Sequence, residues 1–173
     1  DNTLTTPILF QPKNAGADIV IHSTSKFVNG HGNAIGGIIV DTGAFDWSGM
    51  RYRHLAQLHK RVGNFAFLAF LRGQICRDIG CCLSPFNAFL MSIGIDSLAV
   101  RMERHVSNAM KVAAFLAADK RVPAVRYPGL ESDPHHAVAH RQFRNGYGAL
   151  LTLKLQSRED CFKFINGLKR ARN

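Results

Sequence analysis

Lys26 is the residue of this chain that is best placed for chemistry. It follows a short apolar segment, residues 17–22, with the β-branched composition of a buried strand, and it precedes a glycine-rich turn at residues 30–32. An ammonium group just beyond a buried strand can lose its charge through desolvation or through neighbouring cations. Because a neutral lysine amine forms a Schiff base with a carbonyl group, this position suits covalent carbonyl chemistry.

Hydroxyl side chains directly precede Lys26, in the Ser-Thr-Ser sequence of residues 23–25. Hydroxyls and backbone N–H groups in a turn can bind phosphate. Taken alone, these residue types are more typical of an ordinary polar loop. Ser23 and Ser25 are therefore candidates for binding phosphate only if other residues nearby point to the same ligand.

Asp1 is such a residue, because the predicted topology brings it near Lys26. Residues 1–3 look like the end of a strand, residues 6–16 accommodate a turn or two of helix, and residues 17–22 form the next strand. A right-handed crossover between parallel strands places both strand ends at one edge of the sheet. Neighbouring strands are roughly 5 Å apart, so Asp1 and Lys26 could form an ordinary ion pair.

The same carboxylate and lysine could instead flank a flat heteroaromatic cofactor. Pyridoxal phosphate (PLP) needs a lysine for its aldehyde, a carboxylate near its ring nitrogen, and hydrogen-bond donors for its phosphate. Lys26, Asp1, Ser23 and Ser25 could supply one such set. From residue types alone, the ion pair and the cofactor site both remain open.

The remaining pattern predicts a mixed α/β chain. A strand over residues 35–41 follows a connection too short for a parallel crossover, so we expect it to run antiparallel. Ser84 and Pro85 are typical of a helix start, and Gly94 interrupts the helix predicted over residues 87–93. Further predicted elements are a helix over 96–118 with one apolar stripe, strands over 122–127 and 148–155, and helices over 51–61, 134–143 and from 158 onward.

Two domains follow from this order of elements, one over residues 1–83 and a second over residues 84–173, with the boundary near residue 84 or along the long helix itself. The alternation of short strands and helices after the long helix is typical of a small α/β layer domain. The sequence opens at Asp1 without a methionine, and residues 162–173 look like an unfinished amphipathic helix. We therefore expect this chain to be a piece of a longer protein.

The net charge of +10 is unevenly distributed. Residues 1–50 hold two lysines and four aspartates, whereas residues 51–173 hold 20 Lys/Arg and eight Asp/Glu. A basic face could bind nucleic acid, which makes a basic nucleic-acid-binding module the alternative of another class. The charges follow helical patterns, and no zinc-finger or aromatic ribonucleoprotein motif occurs in the sequence. A solvated surface is therefore preferred.

Metal-binding residue types form no strong motif in this sequence. The cysteine spacings match neither a paired C-x-x-C zinc site nor a disulfide scaffold, and the four residues are Cys76, Cys81, Cys82 and Cys161. We expect buried free thiols, with redox activity of the adjacent Cys81 and Cys82 as the alternative. Asp133, His136 and His140 could share a helical face, but a surface helix is preferred because no further strong ligand accompanies them.

The hydropathy pattern contains no run of about 18 apolar residues, so we expect no membrane span. The first residues also lack the basic-then-apolar pattern of a signal peptide. A cytoplasmic location is the expectation that follows.

Six ordered segments of the chain resemble the Cys/Met-metabolism family of PLP-dependent enzymes. They include DNTLTTP at residues 1–7 and GADIVIHSTSKFVNGHG at residues 16–32, and the others are residues 35–41, 77–89, 101–105 and 127–130. The resemblance covers nearly the whole chain, and ordered motifs are more specific than any single one. Within the family, residues 30–41 followed by Phe45-Asp-Trp47 are most similar to the O-acetylhomoserine sulfhydrylase branch.

The resemblance implies a PLP-dependent transferase-like α/β fold of type I. This chain would hold the end of the large-domain sheet and most of the smaller C-terminal α/β domain. By position, Lys26 corresponds to the lysine that binds PLP covalently, and Asp1 to the partner of the pyridinium nitrogen. Ser23 and Ser25 correspond to the phosphate-contacting hydroxyls, with Ser25 replacing the more usual threonine.

The implied activity is γ-replacement in methionine biosynthesis, in which O-acetylhomoserine and sulfide give homocysteine and acetate. Cystathionine γ-synthase and the methionine or cystathionine γ-lyases are alternatives within the family. The implied partners are an amino-acid substrate and sulfide, without nucleic acid or membrane, in a cytoplasmic homotetramer. The family's phosphate loop precedes Asp1 and its substrate-carboxylate arginine follows Asn173, so we expect these residues alone to be inactive and to bind PLP poorly.

Overall fold

The computed structural model describes residues 1–169 and confirms a mixed α/β chain. The chain divides into two compact units, Asp1–Ala99 and a second that begins at Val100. The domain boundary predicted near residue 84 concerns the longer protein and stays a prediction. The last four residues of the predicted C-terminal helix, 170–173, lie outside the described part of the chain.

The first unit contains a two-stranded sheet and a series of helices. Its strands are β1 (Ile19–Ser23) and β2 (Gly37–Asp41), and its α-helices are α1 (Thr6–Leu9), α2 (Arg53–Val62), α3 (Ala66–Phe70), α4 (Arg77–Ile79) and α5 (Pro85–Asp96). Short 3₁₀ turns occupy Pro12–Ala15, Met50–Tyr52 and Gly63–Phe65, and a π-helical segment, Leu71–Cys76, runs into α4. Gly16, in the left-handed region, ends the first 3₁₀ turn, as predicted.

Strands β1 and β2 pair antiparallel, which confirms the predicted direction. The register pairs Ile19 with Asp41 and Ser23 with Gly37, so the loop between the strands begins and ends at one edge of the sheet. The residues that face inward from β1, Val20 and His22, are buried. The sheet therefore fixes both ends of the segment that contains Lys26.

The segment after β2 packs around Trp47, which is buried. Its indole ring stacks on Phe67 with ring centroids 5.0 Å apart, and its Nε1–H donates to the Asp41 carboxylate at 3.1 Å. The stacking of Trp47 on Phe67 therefore joins the end of β2 to α3. The hydrogen bond to Asp41 satisfies the N–H group of the buried indole ring.

Helix α5 begins at Pro85, as predicted, but it continues through Gly94 to Asp96. The prediction that Gly94 interrupts the helix is therefore wrong. The Gly94 Cα faces backbone atoms of Val28 and Asn29 so closely that an added Cβ would lie 2.7 Å from the Val28 carbonyl oxygen. The glycine serves close packing rather than helix termination.

The second unit is built on α6 (Leu98–Ala118), which starts just before the division between the units and carries the predicted apolar stripe. Its other elements are β3 (Ala124–Arg126), α7 (His136–Gln142), β4 (Thr152–Lys154) and α8 (Arg158–Gly167). Strands β3 and β4 pair antiparallel. All of these elements lie within the predicted ranges, and the strands are shorter than predicted.

The core of the second unit, which we call the tyrosine cluster, is centred on Tyr127. Ala109, Ala113 and Tyr127 are buried, and partly buried apolar residues pack against them: Met110, Val125, Leu130, Tyr147 and Leu151. The Tyr127 hydroxyl donates to the Gly148 carbonyl at 2.9 Å. Burial raises the pKa of the Tyr127 hydroxyl. This core is apolar packing with two hydroxyl groups, those of Tyr127 and Tyr147, that both have hydrogen-bond partners.

The four cysteines are free thiols, as predicted, but their burial was predicted wrongly for two of them. Cys81 and Cys82 are exposed, while Cys76 and Cys161 are partly buried. No helix within residues 1–169 is both long and apolar enough to cross a membrane.

Candidate active site

The lysine loop, which we define as residues 23–36, has a backbone held by its own hydrogen bonds. The N–H groups of Thr24 and Ser25 donate to the Gly36 carbonyl at 3.0 and 3.4 Å. Further along, Asn29 N–H donates to the Thr24 carbonyl at 2.9 Å, and Gly30 N–H donates to the Lys26 carbonyl at 2.8 Å. Lys26 therefore lies in a turn whose backbone is hydrogen-bonded both before and after it.

Two buried polar residues of this loop, Thr24 and Asn29, hold it in place through side-chain hydrogen bonds. The Thr24 hydroxyl donates to Met91 Sδ at 2.9 Å, which ties the loop to α5. Asn29 is fully buried, and its amide donates to the Asn33 side chain at 2.9 Å. Sequence reasoning missed both anchors; the Asn-Gly pair at residues 29–30, a common turn signal, could have pointed to Asn29.

Glycines allow α5 to approach the lysine loop closely. A Cβ at Gly94 would lie 2.8 Å from Asn29 Cα, and a Cβ at Gly36 would lie 2.8 Å from Met91 Sδ. The first of these clashes is with backbone, which cannot rotate away. Gly94 therefore determines how near α5 packs to the turn that follows Lys26.

Lys26 itself is exposed. Within residues 1–169, its Nζ atom forms no ion pair and no hydrogen bond, so the alternative of an ion pair with Asp1 is not observed. A fixed backbone thus carries an amine with no protein partner.

Two hydrogen bonds hold residues 2 and 3 beside the end of β1, but the predicted strand over residues 1–3 does not form in the described part of the chain. The Asn2 N–H donates to the Ile21 carbonyl at 2.9 Å, and the Ser23 N–H donates to the Thr3 hydroxyl at 2.8 Å. The second bond goes to a side chain, so residues 1–3 lie beside β1 without forming a backbone ladder with it. The Asp1 Oδ1 atom accepts the Thr3 N–H at 2.7 Å, and the exposed carboxylate retains a second oxygen for another donor.

The two candidate phosphate-binding serines differ in their contacts. The Ser23 hydroxyl has no hydrogen-bond partner in the described part of the chain. The Ser25 hydroxyl accepts the Gly36 N–H at 2.9 Å and donates to the Gly36 carbonyl at 3.2 Å. Rotation of the Ser25 hydroxyl can break the longer bond, in which it donates to the Gly36 carbonyl. The oxygen can then still accept the Gly36 N–H while the hydroxyl donates its proton to an anion.

His22 is the buried β1 residue that directly precedes Ser23, and sequence reasoning missed it. It is 5% exposed, and its Nδ1 has no hydrogen-bond partner. Desolvation lowers the pKa of His22, and a hydrogen bond to the Asn2 backbone opposes that shift without cancelling it. The imidazole is therefore neutral at pH 7, and it adds no positive charge below Lys26.

His31 follows the turn and contacts it rather than Lys26. Its Nδ1–H donates to the Asn29 carbonyl at 2.6 Å, and the ring is exposed. This contact gives His31 a role in holding the turn.

The second unit places the alternative metal-binding residues in protein contacts. His136 Nδ1 lies 2.8 Å from the Pro128 carbonyl, and His140 Nδ1 lies 2.8 Å from the Tyr147 hydroxyl. The buried Asp133 carboxylate accepts the His135 N–H at 2.9 Å. The described residues contain no group of three His, Cys, Asp or Glu that could hold a metal ion.

The groups around the lysine loop fit PLP by their chemistry. They comprise an amine without a protein partner on Lys26, a carboxylate oxygen on Asp1, and hydroxyls on Ser23 and Ser25 that can donate to an anion. A cofactor with an aldehyde, a basic ring nitrogen and a phosphate needs these three kinds of group.

Comparison with known proteins identifies relatives with the same order of elements. The chain is 39% identical to O-acetyl-L-homoserine sulfhydrylase of Leptospira meyeri, over 98% of this chain and 42% of the relative. The solved structure of O-acetylhomoserine sulfhydrylase from Wolinella succinogenes matches with a TM-score of 0.86 and 38% identity, over 96% of this chain and 46% of that chain. This chain thus spans less than half the length of these relatives.

A second solved structure carries the cofactor on a lysine. It is a Campylobacter jejuni protein named for O-acetylhomoserine (thiol)-lyase activity, with N′-pyridoxyl-lysine-5′-monophosphate bound. It matches with a TM-score of 0.84 and 31% identity, over 98% of this chain and 45% of that chain. These matches confirm the predicted PLP-dependent transferase fold of type I. The family model of Cys/Met metabolism PLP-dependent enzymes matches residues 1–172, and the chain therefore belongs to that family.

Proposed function

We propose that the protein containing this chain is a PLP-dependent transferase that replaces the acetate of O-acetylhomoserine with sulfide, giving homocysteine. The observation that carries the proposal is the lysine loop, in which a fixed backbone holds a Lys26 amine that has no partner among residues 1–169. The sulfhydrylase relatives support the choice of reaction. Methionine biosynthesis is the metabolic setting that this reaction implies.

Each candidate side chain has a separate task in this proposal. Lys26 would hold the cofactor through Nζ, and after the substrate amine replaces it, Nζ would accept the proton from the substrate Cα and return it. The free Asp1 oxygen would accept a hydrogen bond from the protonated ring nitrogen. The Ser23 and Ser25 hydroxyls would donate to the phosphate. PLP, when bound, supplies the electron sink for removal of the Cα and Cβ protons.

Lys26 can exchange protons because of its surroundings. The amine is exposed and reaches solvent, while the turn closed by Gly30 and Asn29 fixes the backbone beneath it. A general base works best when its position is fixed and its proton can be exchanged. The buried anchors Thr24 and Asn29 therefore act as positioning residues for Lys26.

The proposal extends to the organisation of the whole protein. Residues 1–83 would be the C-terminal part of the PLP-binding domain, and residues 84–173 the linking helix with part of the C-terminal α/β domain. The exposed apolar residues of β2, Ile38, Ile39 and Val40, support further protein covering this sheet. We further propose a cytoplasmic homotetramer, as expected from the family.

The products formed with different nucleophiles test the reaction. We expect the full-length protein with PLP to form homocysteine from O-acetylhomoserine and sulfide much faster than it forms cystathionine with cysteine. Faster cystathionine formation would identify a cystathionine γ-synthase instead. Release of 2-oxobutanoate and ammonia without an added nucleophile, as the main reaction, would identify a γ-lyase.

A further inference from the structure

A second reactive group lies in the thiol turn, which we define as residues 76–82. Three of the four cysteines, Cys76, Cys81 and Cys82, lie in this turn as free thiols. Cys81 and Cys82 are exposed and Cys76 is partly buried. Exposed thiols in a short segment are reactive groups that apolar packing does not explain.

The end of helix α4 brings two of these thiols together. The helix ends at Gly80, which has a φ of 80° in the left-handed region, and the Gly80 N–H donates to the Cys76 carbonyl at 2.9 Å. In helices that end this way, the residue just past the glycine commonly contacts the residue whose carbonyl receives the bond. Here these residues are Cys81 and Cys76.

The observed contacts agree with that geometry. Cys81 Sγ lies 4.0 Å from the Cys76 carbonyl oxygen. A hydrogen bond with the Cys81 thiol raises the pKa of the Cys76 thiol, and burial and the negative charge that Cys81 acquires on ionisation add to the shift. The Cys81 side chain therefore points back to the helix end that carries Cys76, and the shift in the Cys76 pKa agrees with neighbouring thiols.

Cys82 points elsewhere and is a poorer partner for Cys81. Its Sγ lies 3.6 Å from the carbonyl oxygen of Leu83, the next residue along the chain. The Cα atoms of adjacent residues are about 3.8 Å apart across a trans peptide, whereas disulfides join Cα atoms roughly 4.4–6.8 Å apart. The structure contains no cis peptide among its described residues. The geometry thus favours pairing of Cys81 with Cys76.

We propose that Cys76 and Cys81 form a reversible disulfide by exchange with a small-molecule disulfide such as oxidised glutathione. The exposed Cys81 thiolate attacks one glutathione sulfur and forms a mixed disulfide, releasing one glutathione thiolate. Cys76 gives its proton to water and attacks the Cys81 sulfur, releasing the second glutathione. Two protein thiols are oxidised to one disulfide, and one glutathione disulfide is reduced to two thiols.

Peptide mapping tests this pairing because a tryptic site separates the two cysteines. Trypsin cleaves after Arg72, Arg77 and Arg101, so Cys76 falls in peptide 73–77 and Cys81 in peptide 78–101. After incubation of the full-length protein with oxidised glutathione and alkylation, we expect these peptides linked and released by dithiothreitol. Alkylation of both residues, glutathione left on Cys81, or a disulfide within peptide 78–101 would overturn the proposal.

Two variants identify which cysteine of peptide 78–101 is linked. Cys82→Ser should retain the linked pair of peptides, and Cys81→Ser should lose it. Loss of the linked pair in Cys82→Ser would contradict the proposal, provided that its thermal unfolding matches the wild type. The experiment needs neither PLP nor turnover, so its result is independent of the proposed function.

Discussion

The lysine loop and the tyrosine cluster both contain polar side chains, but they use them in opposite ways. In the tyrosine cluster, the Tyr127 hydroxyl and the neighbouring His140 ring nitrogen both bind protein atoms. In the lysine loop, the buried residues Thr24 and Asn29 bind protein atoms, while Lys26 and Ser23 have no side-chain partner within residues 1–169.

This difference in hydrogen bonding distinguishes residues that stabilise the fold from residues that can bind a ligand. Buried polar groups of a folded protein usually bind protein atoms, since an unsatisfied one costs about 1–3 kcal/mol; His22 Nδ1 and Asn29 Oδ1 are exceptions in the first unit. Polar groups that act on a ligand must be fixed in position and yet left free for the ligand. The lysine loop meets both conditions, and the tyrosine cluster meets only the first.

The largest expected effect is loss of activity without loss of stability. Lys26→Ala in the full-length protein should lower kcat/KM by about 10⁴-fold or more, because it removes both the cofactor attachment and the proton carrier. Measured without PLP, its free energy of unfolding should match the wild type, since Nζ has no partner among the described residues, whereas added PLP should stabilise the wild type more than the variant. Steady-state kinetics and chemical denaturation measure the two effects.

The matched control for Lys26 is Lys13→Ala, which removes another exposed lysine of the first unit. It should leave kcat/KM unchanged. A similar loss of activity in both variants would remove the distinction between the lysine loop and the rest of the unit.

The opposite outcome is expected in the tyrosine cluster. Tyr127 is fully buried, so Tyr127→Ala should lower the free energy of unfolding by about 3–5 kcal/mol through the cavity that it leaves. Phe115→Ala, on the 70%-exposed Phe115 of α6, is the control and should change it far less. Equal effects in denaturant titrations would show that Tyr127 does not centre the core.

The close packing of α5 against the lysine loop should affect both the stability of the first unit and the activity of the protein. Gly94→Ala should cost about 1–3 kcal/mol, because its Cβ would press on the backbone of Val28 and Asn29. Activity should fall as well, since the displaced backbone follows Lys26. The helical Gly73, with nothing within 4 Å of an added Cβ, provides the control Gly73→Ala. A loss of stability in both variants, measured by thermal unfolding, would contradict the packing role.

The two serines should divide the effects between stability and cofactor affinity. Ser25→Ala should lower the free energy of unfolding by roughly 1 kcal/mol, because the Gly36 N–H loses its acceptor. Ser23→Ala should leave stability unchanged and weaken PLP binding, measured by equilibrium titration of the full-length protein. A stability loss in Ser23→Ala that equals that in Ser25→Ala would show that Ser23 is a structural residue.

The smallest expected effect is a pH dependence from His22. Because the pKa of His22 is lowered in the folded chain, its imidazole binds a proton at a higher pH in the unfolded chain than in the folded one. Its neutral form therefore gives full stability above about pH 6.5, and stability is lost as the pH falls below that value. His22→Gln should reduce the difference in unfolding free energy between pH 7 and pH 5.5. The exposed-histidine control, His135→Gln, should retain the wild-type difference.

The sequence predicted the elements better than the contacts. The antiparallel β2 followed from the short connection after Lys26, and the start of α5 at Pro85 followed from its typical N-terminal sequence. Both depend on local geometry. The course of α5 through Gly94 did not follow, because it depends on the backbone of Asn29, distant in sequence.

The candidate site shows the same limit. The positions of Lys26 and Asp1 near one strand end could be predicted from a right-handed crossover and strand order. The anchors Thr24 and Asn29 could not, since each looks like an ordinary loop residue until its burial is known. The exposure of Cys81 was also missed, because free cysteines are usually buried and the turn at Gly80 reverses that tendency.

The most direct test of the account is borohydride reduction of the full-length protein with PLP, followed by tryptic peptide mapping. Modification of Lys26 would block cleavage there, so we expect the phosphopyridoxyl group on the uncleaved peptide 14–51, which lies between Lys13 and Arg51. Fragmentation of that peptide should place the label on Lys26. A label on another lysine, or no label with PLP in excess, would contradict the assignment of Lys26 as the cofactor-binding lysine.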